Sequence, residues 1–267
     1  MLSLMQECIS CFAMYLYIPR AELLMSDAGI RRAENDSFKS AYKYQVQNLR
    51  NSYLTTAYAA QERLLSFIEA NNTSFLEWKN SPERTQYNTL LIRSGAEFAL
   101  YYSNMRYPQR MFRMLAPIMG SVEELHVTPV FGVTFSALKA RKTDGSFTPE
   151  DKALTALLSK AIAYLTIAMA VPELQLRMDE NGLSVLSNNA DSSLNEDSKR
   201  SAASDFQVGL LAEQCKATGK GFIEAAKTYL DSKASNSVYP EWYSAINAGT
   251  GTSSFDKNLN LGGCFTM

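Results

Sequence analysis

Few residues of this chain have the type and spacing for chemistry. Cys8 and Cys11 form a Cys-x-x-Cys pair, the spacing of half a zinc site or of a redox dithiol. No second pair follows: Cys215 and Cys264 stand alone, and the single histidine, His126, lies far off in sequence. With two ligands un-nominated, the pair reads as reduced, part-buried thiols of a cytosolic protein. His126 sits in Glu123-Glu124-Leu125-His126-Val127-Thr128-Pro129, at the expected exit of a helix, with no partner placed for acid–base work. The Glu123-Glu124 pair reads as negative charge at a helix N-terminus, and Ser121-x-x-Glu124 as a capping box. Arg106, Arg110 and Arg113, interleaved with Tyr107 and Phe112 and preceded by Tyr101-Tyr102, have the pattern of a cluster that contacts DNA or a partner. The competing reading places Tyr102, Met105, Phe112 and Leu115 in the core and leaves the arginines facing solvent. A net charge of −1 and a pI near 6.0 favour that second reading, because no bulk basic field is present. The chain holds no nucleophile elbow, Walker loop, dinucleotide fingerprint, zinc-binding His-Glu helix or EF-hand loop. The expectation is a protein that is not an enzyme, with no catalytic residue, no cofactor and no metal site.

The elements that would position these residues are written twice. The stretch Tyr15 to Ile30 returns as Ala168 to Leu183, with Pro19 matching Pro172, Met25 matching Met178 and Gly29 matching Gly182 at one offset. Tyr44-Gln45-Val46 returns as Phe206-Gln207-Val208, and Phe75-Leu76-Glu77-Trp78 as Tyr239-Pro240-Glu241-Trp242. Both tryptophans of the chain fall in that last motif, so an internal duplication is the simplest account. Glu77 and Glu241, matched across it, read as caps or ion-pair partners, and Gln45 and Gln207 as residues that satisfy backbone groups.

Each copy reads as a core helix, a β-hairpin, a long helix and a Trp-bearing loop. The core runs Cys8 to Ile18 and Ala161 to Val171 are apolar almost all round, as expected of helices covered on most sides, and too short to span a bilayer. The hairpins follow from the proline and the Gly turns at Ser26-Asp27-Ala28-Gly29 and Glu180-Asn181-Gly182. In the first long helix Tyr44, Leu49, Ala57, Ala60, Phe67 and Ile68 mark the inner face; in the second, Phe206, Leu210, Leu211, Cys215, Ile223 and Leu230 do. Gly209, Gly219 and Gly221 predict a close helix contact or a bend. Ser81-Pro82-Glu83 and Thr148-Pro149-Glu150 predict helix starts, with helices over Pro82 to about Tyr107, Gln109 to Leu115, one near Val122, and Glu150 to Val171. Lys142 to Ser146 and Ser187 to Ser204 read as polar loops.

The expected fold class is therefore mainly α with small β-hairpins, an α+β arrangement. Its organisation is a first repeat (1–80), a helical connecting segment (81–150), a second repeat (151–244) and a flexible tail (245–267). In that tail Phe255, Leu259, Leu261 and Phe265 are spaced as anchors for a subunit interface.

The hairpin motif Ser26 to Ile30, Tyr44-Gln45-Val46, Phe75-x-x-Trp78 and Arg110-x-Phe112-x-x-Leu115-x-Pro117 together resemble a family of Bacteroidota phage and prophage proteins of formerly undefined function. The family is similar to the neck and tail ring proteins of crAss-like phages. The resemblance implies a virion structural protein, a head-to-tail connector subunit joining portal to tail. It also implies a homo-oligomeric ring, twelvefold as portal-linked rings usually are, with the portal and other ring proteins as partners, DNA in its channel and no membrane. It would be made in the host cytoplasm and reside in the virion. The alternative is a nucleic-acid-binding packaging or recombination accessory acting through Arg106, Arg110 and Arg113.

Overall fold

Two long helical hairpins organise the chain. A computed structural model describes residues 1–21, 23–26, 29–32, 42–174, 176–179, 182–185 and 205–249. In the first hairpin, α1 (Leu2–Ala21) runs antiparallel to α2 (Lys43–Ala70). The pairing is fixed by contacts that descend α2 as they ascend α1. Glu7 pairs with Arg63 at 2.5 Å, Phe12 meets Tyr58 edge-on with centroids 5.8 Å apart, and Arg50 lies 4.5 Å over the Tyr15 ring. The second hairpin pairs α8 (Pro149–Leu174) with α9 (Asp205–Lys233). Each first helix runs two residues past its proline, to Ala21 and Leu174, before the chain turns into the β segment.

Between the hairpins lie α3 (Leu76–Lys79), α4 (Pro82–Asn88), α5 (Gly95–Tyr101), α6 (Pro108–Val122), a π turn (Glu123–Val127) and α7 (Thr128–Asp144); α10 (Pro240–Gly249) follows α9. The core is built from α4 to α9, with Phe98, Phe112, Leu115, Met119, Phe135, Leu158, Ile162 and Leu165 at or near full burial. α8 is its centre, covered by α5, α6 and α9. Gly219 on α9 lets α9 approach closely: a Cβ there would lie 2.6 Å from Leu165 Cγ. Gly209 and Gly221 face open space, so only one of the three glycines expected at a close contact makes one.

The α+β expectation is overturned: the fold is all-α. Leu23–Ser26 pairs with Gly29–Arg32, and Leu176–Asp179 with Gly182–Val185, but each pair is an isolated two-stranded ribbon. Strands of four residues in twos cannot make a layer, and helices and the turns between them supply the whole described core.

Other expectations are corrected as well. The helix predicted from Pro82 to Tyr107 breaks at 89–94 into α4 and α5, because Ser94 caps a new start by accepting from the Glu97 N–H at 3.2 Å. The break turns Leu90, Leu91 and Ile92 inward together. The short helices predicted at 109–115 and near 122 are one helix, continued through the π turn into α7, which reaches Asp144 and stops at left-handed Gly145. Ser121 lies inside α6 and donates to Pro117 O, so its capping box does not exist. Phe206, Leu210, Leu211, Leu49 and Phe67, expected inward, are exposed. α10 extends to Gly249, past the expected start of the tail. The apolar run read as too short for a membrane belongs to a 26-residue helix, α8, whose length and hydropathy would suffice; most of that stretch is buried in the protein. The anchors Phe255, Leu259, Leu261 and Phe265, Cys264 and the loop 187–204 lie outside the described residues.

Candidate interaction surface and the polar core behind it

The arginine cluster straddles the start of α6, at the junction with the first hairpin: Arg106 precedes the helix, and Arg110 and Arg113 lie on its first turns. Glu62 of α2 caps α6, its two carboxylate oxygens accepting the Gln109 N–H at 2.8 Å and the Arg110 N–H at 3.2 Å. A carboxylate at a helix N-terminus satisfies orphan donors and meets the positive end of the dipole. Arg110 is half-buried, its guanidinium 3.5 Å from the centre of the Tyr58 ring, so it is engaged in holding α6 to α2. Arg106 lies 5.3 Å over Tyr107 and is exposed. Arg113 is exposed too and borders a shallow recess with Glu69, Trp78 and Tyr87. The three arginines are thus close in the chain but do not form one free basic face. Tyr102, Met105, Phe112 and Leu115 do pack on or in the core.

Behind this surface lies a network that sequence reasoning missed. Glu123, read as surface charge at a helix start, is 3% exposed at the start of the π turn. It accepts the Leu91 N–H at 2.7 Å and the Lys139 ammonium at 2.9 Å. Lys139 also donates to Thr89 O at 2.9 Å, and Lys142 donates to Leu91 O at 2.5 Å while pairing with Glu97. Arg93 donates to Lys139 O at 3.3 Å and to Thr143 Oγ1 at 2.8 Å, and Arg84 donates to Arg93 O at 2.8 Å. Side chains of α4, α7 and the π turn therefore satisfy the backbone of 89–94, a buried irregular segment whose polar groups would otherwise be unpaired. Burial pushes the Glu123 carboxyl up, and the Leu91 N–H and Lys139 pull it back only in part. The Glu123-Glu124 doublet inside an apolar stretch was the only sequence signal for it.

A second cluster closes the far end of α8. Arg141 donates to both carboxylate oxygens of Asp151, each at 2.9 Å, and Asp151 and Thr148 cap one another, backbone N–H to side chain, at 3.1 and 3.2 Å. Buried Tyr239, at φ +52°, lies beside them; burial, then Asp151, pushes its phenol far above the ordinary range.

The repeat is carried into three dimensions by its tryptophans. Trp78 Nε1 donates to Glu69 Oε1 at 3.0 Å, and Trp242 Nε1 to Asp231 Oδ1 at 2.8 Å. In both copies the acceptor lies near the C-terminal end of the long helix. Glu77 and Glu241 both occupy the first turn of the short helix that follows, and Gln45 accepts the Tyr42 N–H at 3.0 Å, at the start of α2. Cys8 and Cys11 lie one turn apart on α1; Cys8 is buried, and burial raises its thiol's pKa. His126 is half-buried within the π turn of a continuous helix, not at a helix exit. Among the described residues, no three His, Cys, Asp or Glu side chains are grouped to hold a metal.

Residues 1–88 and 127–252 match a family described as a family of unknown function (DUF6712). The chain belongs to this family. Neither a curated protein nor a solved structure matches it. The matched residues take in both hairpins, both ribbons, both tryptophans and α7. Residues 89–126 fall outside the match, and they include α5, α6, the arginine cluster and Glu123. The family match therefore says nothing of the Arg110 to Pro117 stretch that entered the sequence resemblance.

Proposed function

We propose that the protein is a structural subunit of a tailed-phage virion, a head-to-tail connector or neck ring protein that assembles with copies of itself between portal and tail. The observation that supports it most is a set of large apolar side chains left open on the helical hairpins, most of them on α1. Leu2, Ile9, Leu16 and Tyr17 of α1 and Phe206 of α9 are each more than half exposed. Scattered exposed apolar residues need no explanation, but rows along a helix mark contact surfaces. The resemblance of the hairpin, long-helix and tryptophan motifs to ring proteins of crAss-like phages supplies the setting.

The test is the mass of the purified protein by light scattering, with negative-stain images of the same peak, alone and with portal. Rings are expected under one of the two conditions. A stable monomer indifferent to portal would remove the reading. Because α10 ends at Gly249, the cut that probes the tail follows that residue. Removing 250–267 is expected to abolish ring assembly while leaving the helical signal of the protomer intact, and rings formed by the truncated chain would sink the role given to Phe255, Leu259, Leu261 and Phe265.

A further inference from the structure

The two copies of the repeat differ in what covers them. Cys8 and Ala161, matched in sequence, both face the partner helix of their own hairpin and are both buried. On the other side the copies part. Leu2, Ile9 and Leu16 of α1 are 68%, 65% and 62% exposed, whereas their counterparts on α8 are Thr155 and Ile162, buried at 5% and 0%, and half-buried Met169. Met5 and Met14 are exposed as well, against Leu158 and Ile167, both buried. The α8 face is closed by α5 and α6 of the same chain; nothing in the described chain closes α1.

We propose that this face of α1, lined by Leu2, Met5, Ile9, Leu16 and Tyr17, is an interface that a second copy of this chain covers. The spacing 2, 5, 9, 16 follows the 3–4 alternation of a helix seam, the pattern that packs on another helix. Charge selects the occupant. α1 carries only Glu7, already paired with Arg63, and Arg20 at its end. A nucleic acid would need basic residues there. A helix lying on a lipid surface would need lysines or arginines along its polar face. Size agrees: with full areas on the order of 200 Å² per large side chain, the exposed fractions amount to roughly 600 Å², against about 800 Å² per partner in a standard interface. The inference rests on the self-assembly proposed above but not on the phage setting.

The full-length Ile9→Glu/Leu16→Glu variant tests it, since both side chains are exposed and the protomer keeps its helices. Light scattering of the wild type is expected to give a multiple of 29.7 kDa, and of the variant the single-chain mass with unchanged circular dichroism. A photo-crosslinking amino acid in place of Ile9, in the otherwise wild-type chain, is expected to give a band at twice the chain mass, and it decides the matter if the charged variant misfolds. A variant that keeps the wild-type mass overturns the α1 interface while leaving self-assembly standing. A wild type that stays monomeric both alone and with added portal overturns both. So does a crosslink to residues 250–267 of the same chain, or to added phosphatidylglycerol vesicles, in place of the doubled band, for the interface alone.

Discussion

Glu123→Ala is expected to lower the unfolding free energy by about 3 kcal/mol, because it removes a buried, hydrogen-bonded carboxyl and leaves the buried Leu91 N–H unpaired. Lys139 would keep Thr89 O but lose its counter-charge, and the Leu91 N–H would be left without an acceptor. The loss should be cooperative, since Lys139, together with Lys142, holds the irregular segment to α7. Its pH dependence has a definite sign. The Glu123 carboxyl is raised by burial, so the folded state holds this proton more tightly than the unfolded one. The stability it contributes is full below the unfolded value, about 4.3, and falls as pH rises through the higher folded value. Urea melts of wild type and variant at pH 4 and pH 7 should therefore show a larger difference at pH 4. A difference that grows toward neutral pH would mean that attraction to Lys139 outweighs desolvation.

Gly95→Ala should cost about 3 kcal/mol or more, toward or past the upper end of overpacking substitutions. A Cβ at Gly95 would stand 2.4 Å from Pro108 O, 2.5 Å from Pro108 C and 2.6 Å from Gln109 Cα. All three are backbone atoms of the first turn of α6, so relief requires moving that helix off α5 and breaking the Gly95 N–H to Gln109 Oε1 bond of 3.2 Å. Gly219→Ala is the comparison. Its nearest obstacles are Leu165 side-chain atoms at 2.6 and 2.9 Å, which a rotamer change can move, with Ala161 O next at 3.2 Å. Alanine also favours a helix over glycine by about 1 kcal/mol, so a net cost of roughly 1 kcal/mol is expected there. Thermal melts that rank Gly219→Ala as the more damaging would refute this account of the α5–α6 contact.

What could be read from the sequence was local or repeated. The caps at Ser81 and Thr148, the long helices and the matched tryptophans are set by neighbours a few residues away or by the duplication itself, and they stand where expected. Three things were not legible. Glu123 looks like any charge at a helix start until Leu91, 32 positions away, is seen to donate to it. The break at 89–94 has a local restart signal in Ser94, but the carbonyls it frees at 89 and 91 are satisfied by lysines about 50 residues downstream. Phe206 and Leu49 follow the apolar period of their helices, but period alone does not say whether anything packs on the far side. α1 and α8 make the same point: near-equal apolarity, opposite surroundings. The weight given to the hairpins was a different error, since a ribbon can be present without setting the class of a core made of helices.

The two indoles of the chain have a use that their pairing brings about. Each donates to an acid at the end of its own long helix, so the protein carries one tryptophan fluorophore per repeat, each tied to the state of one hairpin. Trp78→Phe leaves emission from the second unit and Trp242→Phe from the first. Coincident unfolding curves from the two variants are expected, because Glu62 and Arg110 lock the first hairpin to α6, which also packs on α8. Curves that separate would show one repeat melting while the other still glows as native.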